Sequence, residues 1–265
     1  MKRTFIFLCI VTLTICCKKE TKTNTKDVIA VLQEDSTIPQ QRKKDHQLRE
    51  VKKAVIAPNM DGSMDDPIWK ETKWYAIDQL WIGDQPTLKD YFGRYKISWT
   101  PDALYILVEI KDDIISNSYK DPLVQWWDND CVEIFIDADN SGGEHQFNNN
   151  AFAYHVALDG NVVDLDVNQQ PILHNSHVIT KRTTKGDVSI WEFEVSVFDD
   201  TYEEGKTNDP LVLTKNQKIG FAIAYNDNDQ SKERENFMGS VFVPGEDKNQ
   251  GWINADIFGT ILLVE

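Results

Sequence analysis

Six short segments of the chain alternate apolar and polar residues with period two: ALYILVEI, CVEIFID, AFAYHVAL, VSIWEFEVSV, IGFAIAYND and FGTILLVE, set between Asp, Asn, Gly and Pro turn formers. In an extended chain successive side chains point to opposite faces, so each segment presents one apolar face and one more polar face. Leu104, Ile106, Val108 and Ile110 share such a face, as do Trp191, Phe193, Val195 and Val197, while Glu109, Glu192, Glu194 and Ser196 point away. Two sheets of this kind bury their apolar faces against each other, so the expected fold class is all-β, an antiparallel β-sandwich. No segment carries a long helical stripe, and Asp65–Asp66–Pro67–Ile68–Trp69 is at most a short helix start, with Pro67 suited to the first turn. There is no internal repeat.

The same parity separates the other faces. In CVEIFID, Val132, Ile134 and Ile136 face one way and Cys131, Glu133, Phe135 and Asp137 the other. Phe152, Tyr154, Val156 and Leu158 leave Ala153, His155 and Ala157 opposite, and Phe221, Ile223 and Tyr225 leave Ala222 and Ala224. Small residues flanking a histidine make a low sheet face. Either it is a shallow concavity with Glu133 and His155 in its floor, or the alanines make room for a covering loop.

The amino-terminal residues follow a different pattern. Lys2 and Arg3 precede an apolar run from Phe5 to Ile15, too short to span a bilayer, and Cys16 and Cys17 follow it directly. Residues 1–17 are expected to be a lipoprotein-type export signal, with acylation at Cys16 or Cys17. Residues 18–50, rich in Lys, Gln, Asp and Thr, read as a flexible polar tether, and 51–265 as one domain. Within that domain Cys131 is the sole cysteine, so no internal disulfide framework is possible. A net charge of −15 and a sequence pI of about 4.7 oppose nucleic acid and anionic lipid surfaces but leave neutral ligands unaffected.

NMDGSMDDPIW, RYKISWTPDALYILVEIKDD, WDNDCVEIFID, IWEFEVSV, IGFAIAYNDND and FGTILLVE, in that order and spacing, resemble the family 9 carbohydrate-binding modules over nearly all of 51–265. The resemblance implies a jelly-roll β-sandwich that binds a mono- or disaccharide or a polysaccharide end, with calcium as structural support. It also implies a sugar ring held between two tryptophans. The first falls on Trp127 and the second on Trp252, six residues before Phe258. The strand carboxylate that bonds sugar hydroxyls falls on Glu133, and an asparagine falls on Asn249. Two positions depart from the family pattern: a basic residue is replaced by His155, and a polar side chain by Ala224. The chemistry agrees, because a pyranose offers a C–H face to an indole and a rim of hydroxyls to Glu, Asn and His. In the pair ahead of DND, Trp127 is expected to face ligand and Trp126 to be its packed partner; the alternative for Trp127 and Trp252 is a place in the core.

Other chemistries leave weaker traces. Glycoside hydrolysis needs two carboxylates across one bond, and nothing in the sequence pairs Glu133 with Asp130, Asp137, Asp164 or Asp166. Haem would need axial ligands such as Met238 and His155. His46, His145, His155, His174 and His177 lack zinc-site spacing. Asp137, Asp139, Asn140 and Glu144 in DADNSGGEHQF offer hard oxygens around two glycines, either a calcium loop or a polar hairpin.

The sequence therefore reads as an exported, membrane-anchored lipoprotein of the cell envelope. Its one β-sandwich binds carbohydrate without cleaving it; the alternative is a ligand-binding or adhesion module of the same fold. Replacing both Cys16 and Cys17 with Ser is expected to move the protein from the membrane to the soluble fraction, as membrane fractionation and immunoblotting would show; unchanged membrane association would exclude this anchor.

Overall fold

The computed structural model describes residues 47–265, so the expected signal, Cys16, Cys17, His46 and most of the tether lie outside the described residues. In chain order the elements are β1 (Arg49–Lys52), α1 (Pro67–Glu71), β2 (Tyr75–Ile77), β3 (Gln79–Ile82), β4 (Tyr91–Trp99), β5 (Leu104–Asp112), β6 (Cys131–Asp137), β7 (Phe152–Ala157), β8 (Val162–Leu165), β9 (Pro171–Leu173), β10 (Val178–Lys185), β11 (Val188–Val195), β12 (Lys218–Asp227), β13 (Asn236–Gly239) and β14 (Gly259–Val264). Strand β1 begins ahead of the expected domain start at Val51 and pairs in parallel with β14. Among the described residues no helix is long and apolar enough to cross a membrane.

The strands form two sheets. One has the order β1-β14-β12-β6-β7-β8-β9, with β13 bridging β12 to β3; the other has the order β10-β11-β5-β4-β2. The apolar faces read from the alternation meet between them: Ile106, Val108, Trp191, Phe193, Val132, Ile134, Tyr154, Phe221 and Ile223 belong to one buried cluster. Fully burying side chains of this size contributes roughly 1.5–3 kcal/mol each against the entropy of ordering the chain.

Facing away from that core is not the same as facing water. Glu192, on the outer face of the five-stranded sheet, is fully buried. The NMDGSMDDPIW segment folds over it, with α1 starting at Pro67, and Trp69 Nε1 donates to its Oε1 at 2.8 Å. The N–H groups of Asp61 and Gly62 donate to Oε2 at 3.0 and 2.8 Å. Burial raises the Glu192 carboxyl against these donors. Trp69, Ala103, Tyr105 and Leu107 close a small apolar cluster around it.

The low alanine face is divided between the two expected uses. Ala153, Ala222 and Ala224 lie in a second apolar cluster with Trp81, Phe135, Phe237, Val241, Val243 and Phe258, so a loop covers that part. The part carrying Glu133 and His155 opens into a cavity.

His174 and His177, in the loop between β9 and β10, are buried among Phe152, Tyr154, Phe198 and Tyr202, with their rings 4.4 Å apart. His177 Nδ1 and the Tyr154 hydroxyl lie 2.9 Å apart. Burial, and then the neighbouring His174, lower the His177 imidazole to about 3; burial also lowers His174, against an opposing effect of Glu204. Below a pH of about 6.5 the unfolded chain takes up protons that the folded pair refuses, so folding loses up to about 1.4 kcal/mol per pH unit per histidine. In denaturant titrations the stability of the wild type relative to His177→Gln is expected to fall from about pH 6.5 towards pH 3, the comparison that cancels the raised carboxyls common to both proteins. A pH-independent difference between the two proteins across that window would mean that the His177 imidazole meets water.

Candidate carbohydrate-binding site

The Trp pair is placed by the acidic residues behind it. Gln125 adopts a left-handed conformation (φ 47°), uncommon outside glycine, and starts a single 3₁₀ turn over Trp126–Asp128. Asp128 Oδ1 accepts the Arg234 N–H at 3.1 Å. Asn129 exchanges hydrogen bonds with the Tyr119 backbone at 2.9 and 2.8 Å, and Asp130 Oδ1 accepts the Asn228 N–H at 2.8 Å. DND is thus a buried brace for two neighbouring loops. Trp126, half-buried, packs edge-on against Trp127 (centroids 4.7 Å) and His155 (6.1 Å), and its indole N–H has no acceptor among the described residues. Trp127 is 38% exposed.

Trp252 reaches the same place from the other end of the domain and is also 38% exposed. Its loop is held by the DADNSGGEHQF segment. The His145 N–H donates to Ile253 O at 3.0 Å, the Ala255 N–H to Gly143 O at 2.8 Å, and His145 Nε2 lies 2.9 Å from Gly251 O. Burial lowers His145 to about 4. At Gly251 a Cβ would stand 2.7 Å from the Phe135 ring, so only glycine lets the loop lie this close to the sheet. The oxygens expected to hold calcium serve this segment too. Asp137 Oδ2 accepts the Gly142 N–H at 2.7 Å, Asp139 Oδ1 the Ser141 N–H at 2.9 Å, and Asn140 Oδ1 the Thr260 hydroxyl at 3.0 Å. Glu144 forms an isolated bridge with Asn254.

Both indoles line a cavity of about 620 Å³ with Trp126, Leu165 and Pro171 in its walls, Glu133, Phe135, His155 and Arg234 in its floor, and Asn249 at its lining. All five expected sugar-binding residues, Trp127, Glu133, His155, Asn249 and Trp252, therefore line one space. Glu133 is 2% exposed, opposite His155 on β7 and Ala224 on β12. Three donors converge on its Oε1: His155 Nε2 at 2.9 Å, Arg234 Nη1 at 3.3 Å and Asn226 Nδ2. Burial alone would raise this carboxyl, but His155, Arg234 and Asn226 together hold it below the usual glutamate value. Among the described residues Oε2 has no hydrogen-bond partner, which leaves one acceptor oxygen for a ligand. His155 Nδ1 lies 3.2 Å from Ala153 O, so both ring nitrogens face protein acceptors and the imidazole orients Glu133.

Arg234 and Asn226 are the residues that sequence reading missed. Asn226 shares the face of Ala224 one pair further along β12 and supplies the polar group absent there. Arg234 stands in the polar NDNDQSKEREN turn, where nothing but the parity of Asn226 hinted at a contact with Glu133. Asp164 also lines the cavity, but its Oδ2 and Oδ1 accept the Ala153 and Leu165 N–H groups, both at 2.7 Å. Burial raises it to about 6 against those donors. Asp130 lies elsewhere, clustered with Asp112 and Asp227, and Asp166 caps the backbone of Asn168 and Gln170. Met238 belongs to the core between the sheets and His155 to the opposite face, so the two cannot ligate one haem.

Two groups of three aspartates, Asp90, Asp113 and Asp229 and the fully buried Asp112, Asp130 and Asp227, each bring one oxygen per residue within 4.8 Å of the others; the buried group is the one set between strands. Burial and then the charge of Asp112 raise Asp130 to about 9 and Asp227 to about 8. Such a set of hard, mutually repelling oxygens fits a divalent cation such as calcium.

Residues 60–265 match the family model described as carbohydrate family 9 binding domain-like. Two curated relatives are endo-1,4-beta-xylanases A: that of Thermotoga neapolitana is 31% identical over 83 residues (31% of this chain, 7% of the relative), and that of Thermotoga maritima 24% over 210 residues (78% and 17%). The chain thus spans less than a fifth of the length of either xylanase. Among solved structures, the family 9 module of Caldicellulosiruptor kristjanssonii in complex with cellotriose has a TM-score of 0.58 at 20% identity, over 82% of this chain and 93% of that one. Its glucose complex scores 0.57 at 20% identity, over 81% and 95%. A putative carbohydrate-binding protein from Bacteroides uniformis scores 0.53 at 12% identity, over 82% and 99%. These likenesses share the β-sandwich fold, and the extent of the family match shows that the chain belongs to the carbohydrate family 9 binding domain-like family.

Proposed function

We propose that the domain binds carbohydrate without cleaving it, taking a pyranose ring between Trp127 and Trp252 above Glu133. The observation that carries this reading is the convergence of two half-exposed indoles on one cavity whose floor offers a single braced carboxylate oxygen. An indole face stacks on the C–H face of a sugar, and Glu133 Oε2 accepts a hydroxyl. Asn249 supplies further polar contact at the rim. Glucose and cello-oligosaccharides, the ligands in the Caldicellulosiruptor complexes, are the first sugars to test. Hydrolysis is disfavoured because both Asp164 oxygens are engaged by backbone amides, which leaves Glu133 without a free carboxylate partner. In the same reading a lipid on Cys16 or Cys17 holds the domain at the cell envelope through the polar tether.

Calcium belongs to this proposal as a structural support, and Asp112, Asp130 and Asp227 are the residues that would hold it. Bound there, it would neutralise repelling carboxylates and tie β5, β6 and β12 together.

Trp127→Ala and Trp252→Ala are each expected to weaken sugar binding about tenfold or more, roughly 1–2 kcal/mol, with little change in melting temperature. Calorimetry with melting curves checks this; a loss of roughly 3–5 kcal/mol in stability would instead mark a core indole. Calcium at about a hundredfold excess over its Kd is expected to raise the melting temperature by about 5–10 °C over the chelated protein. Asp130→Asn is expected to abolish that shift and Asp139→Asn to preserve it; the reverse pattern would place the ion in the 137–147 loop.

A further inference from the structure

The cavity is larger than one sugar ring requires, and its polarity changes from one end to the other. A volume of about 620 Å³ lies within the roughly 300–1,000 Å³ of pockets that enclose drug-sized ligands. Direct strand pairing places Glu133, His155, Val163 and Leu173 in one row across β6, β7, β8 and β9. Paired side chains share a sheet face, so the row runs from a carboxylate and an imidazole to two aliphatic groups. Leu165 stands two residues beyond Val163 on that face and pairs with Pro171, and both line the cavity. Leu123 and Val124 line it too, from the segment just ahead of the turn that carries Trp126 and Trp127. Val124 is 48% exposed, and Leu173 on the edge strand β9 46%. The polar neighbours of this apolar end are committed to the protein. Asp164 accepts two backbone N–H groups, and the Gln169 amide accepts from Gln146 Nε2 at 3.2 Å and donates to Gln146 O.

We propose that this end of the cavity is an apolar subsite, and that the ligand is a sugar carrying an apolar substituent, an aryl or alkyl group joined through a glycosidic, ether or ester oxygen. The proposal rests on the carbohydrate reading above for the sugar part. With the sugar at the indoles and Glu133, the substituent lies against Leu123, Val124, Leu165 and Pro171. A second sugar ring placed there would bury hydroxyls with few partners, which is unfavourable, whereas a hydrocarbon group gains from all the apolar area it covers. Leu165 and Pro171 sit on paired strands, so their wall is in place before ligand arrives and costs little ordering on binding. The exposed Val124 and Leu173 likewise form apolar surface that such a substituent would cover. The domain is thus selective for a substituted sugar over an extended, unsubstituted chain.

Calorimetric titration of the full chain with glucose, cellobiose and glucose bearing one benzyl or hexyl group at O1, O4 or O6 tests this. At least one substituted glucose is expected to bind about tenfold or more tighter than glucose, with a more negative heat-capacity change, and cellobiose to fall short of that gain. A gain confined to the benzyl or to the hexyl compounds would support the subsite and tell whether it takes a flat ring or a chain. Val124→Asn, at an exposed position, is expected to cut the gain about threefold or more while glucose affinity and melting temperature stay as in the wild type. The V124N/L165N double variant is expected to abolish the gain; if it does not fold, V124N alone carries the test. Glucose binding with no gain for any derivative would overturn the subsite and leave the carbohydrate reading standing. A larger gain for cellobiose than for any substituted glucose would overturn it in favour of an extended sugar chain, and a gain unchanged in V124N would overturn it as well. Binding of benzyl alcohol or hexanol but of no sugar, or of none of these compounds, would remove the carbohydrate reading and this proposal with it.

Discussion

A carboxylate in a strand buried on both faces is the constraint on which the site depends. Every residue of β6 is buried, and Glu133 Oε1 takes its hydrogen bonds from the protein instead of from water. An ionised group in that position is tolerated only if donors replace its hydration. Here they come from three elements at once: His155 on β7, Asn226 on β12 and Arg234 on the turn that follows β12. The register of β6 against both neighbours is what brings them to one oxygen, and a slip by one residue would send Glu133 into the core between the sheets. Site geometry and sheet pairing are in this sense one property.

Much of the acidity in the chain is structural in the same manner. Asp128 and Asp130 accept backbone N–H groups of neighbouring loops, Asp137 and Asp139 close the loop that docks under Trp252, and Glu192 gathers the amides of Asp61 and Gly62 with the indole of Trp69. A carboxylate that accepts several N–H bonds fixes a loop more firmly than a neutral turn residue does. This explains how aromatic residues on irregular segments hold a cavity open without collapsing into it. Asp112, Asp130 and Asp227 carry a further demand, since their mutual repulsion asks for a cation or for protons.

The two indoles owe their exposure to what lies behind them. Trp126 fills the space between Trp127 and His155, and the 137–147 loop and Gly251 set the height of Trp252 above Phe135. Rigid support of this kind lowers the entropy lost on binding, which matters for a small ligand with few contacts.

Period-two alternation alone determined the sandwich: β5, β6, β7, β11, β12 and β14 fall on the six segments that show it, because side-chain direction in a strand is a local property. It also determined which residues share the face of Glu133, and the spacing of WDNDCVEIF and NQGWINADIFG carried the family resemblance. Tertiary structure decided the rest. Whether the alanine face is open or covered depended on where the 240–258 loop lies, and it proved to be both. Arg234, Asn226 and the imidazole of His155 acquired their roles from contacts made far along the chain, and the buried acids from amides that no spacing rule connects to them. A hydrogen bond between distant residues leaves no period in a sequence; it exists only once the chain has been brought back on itself.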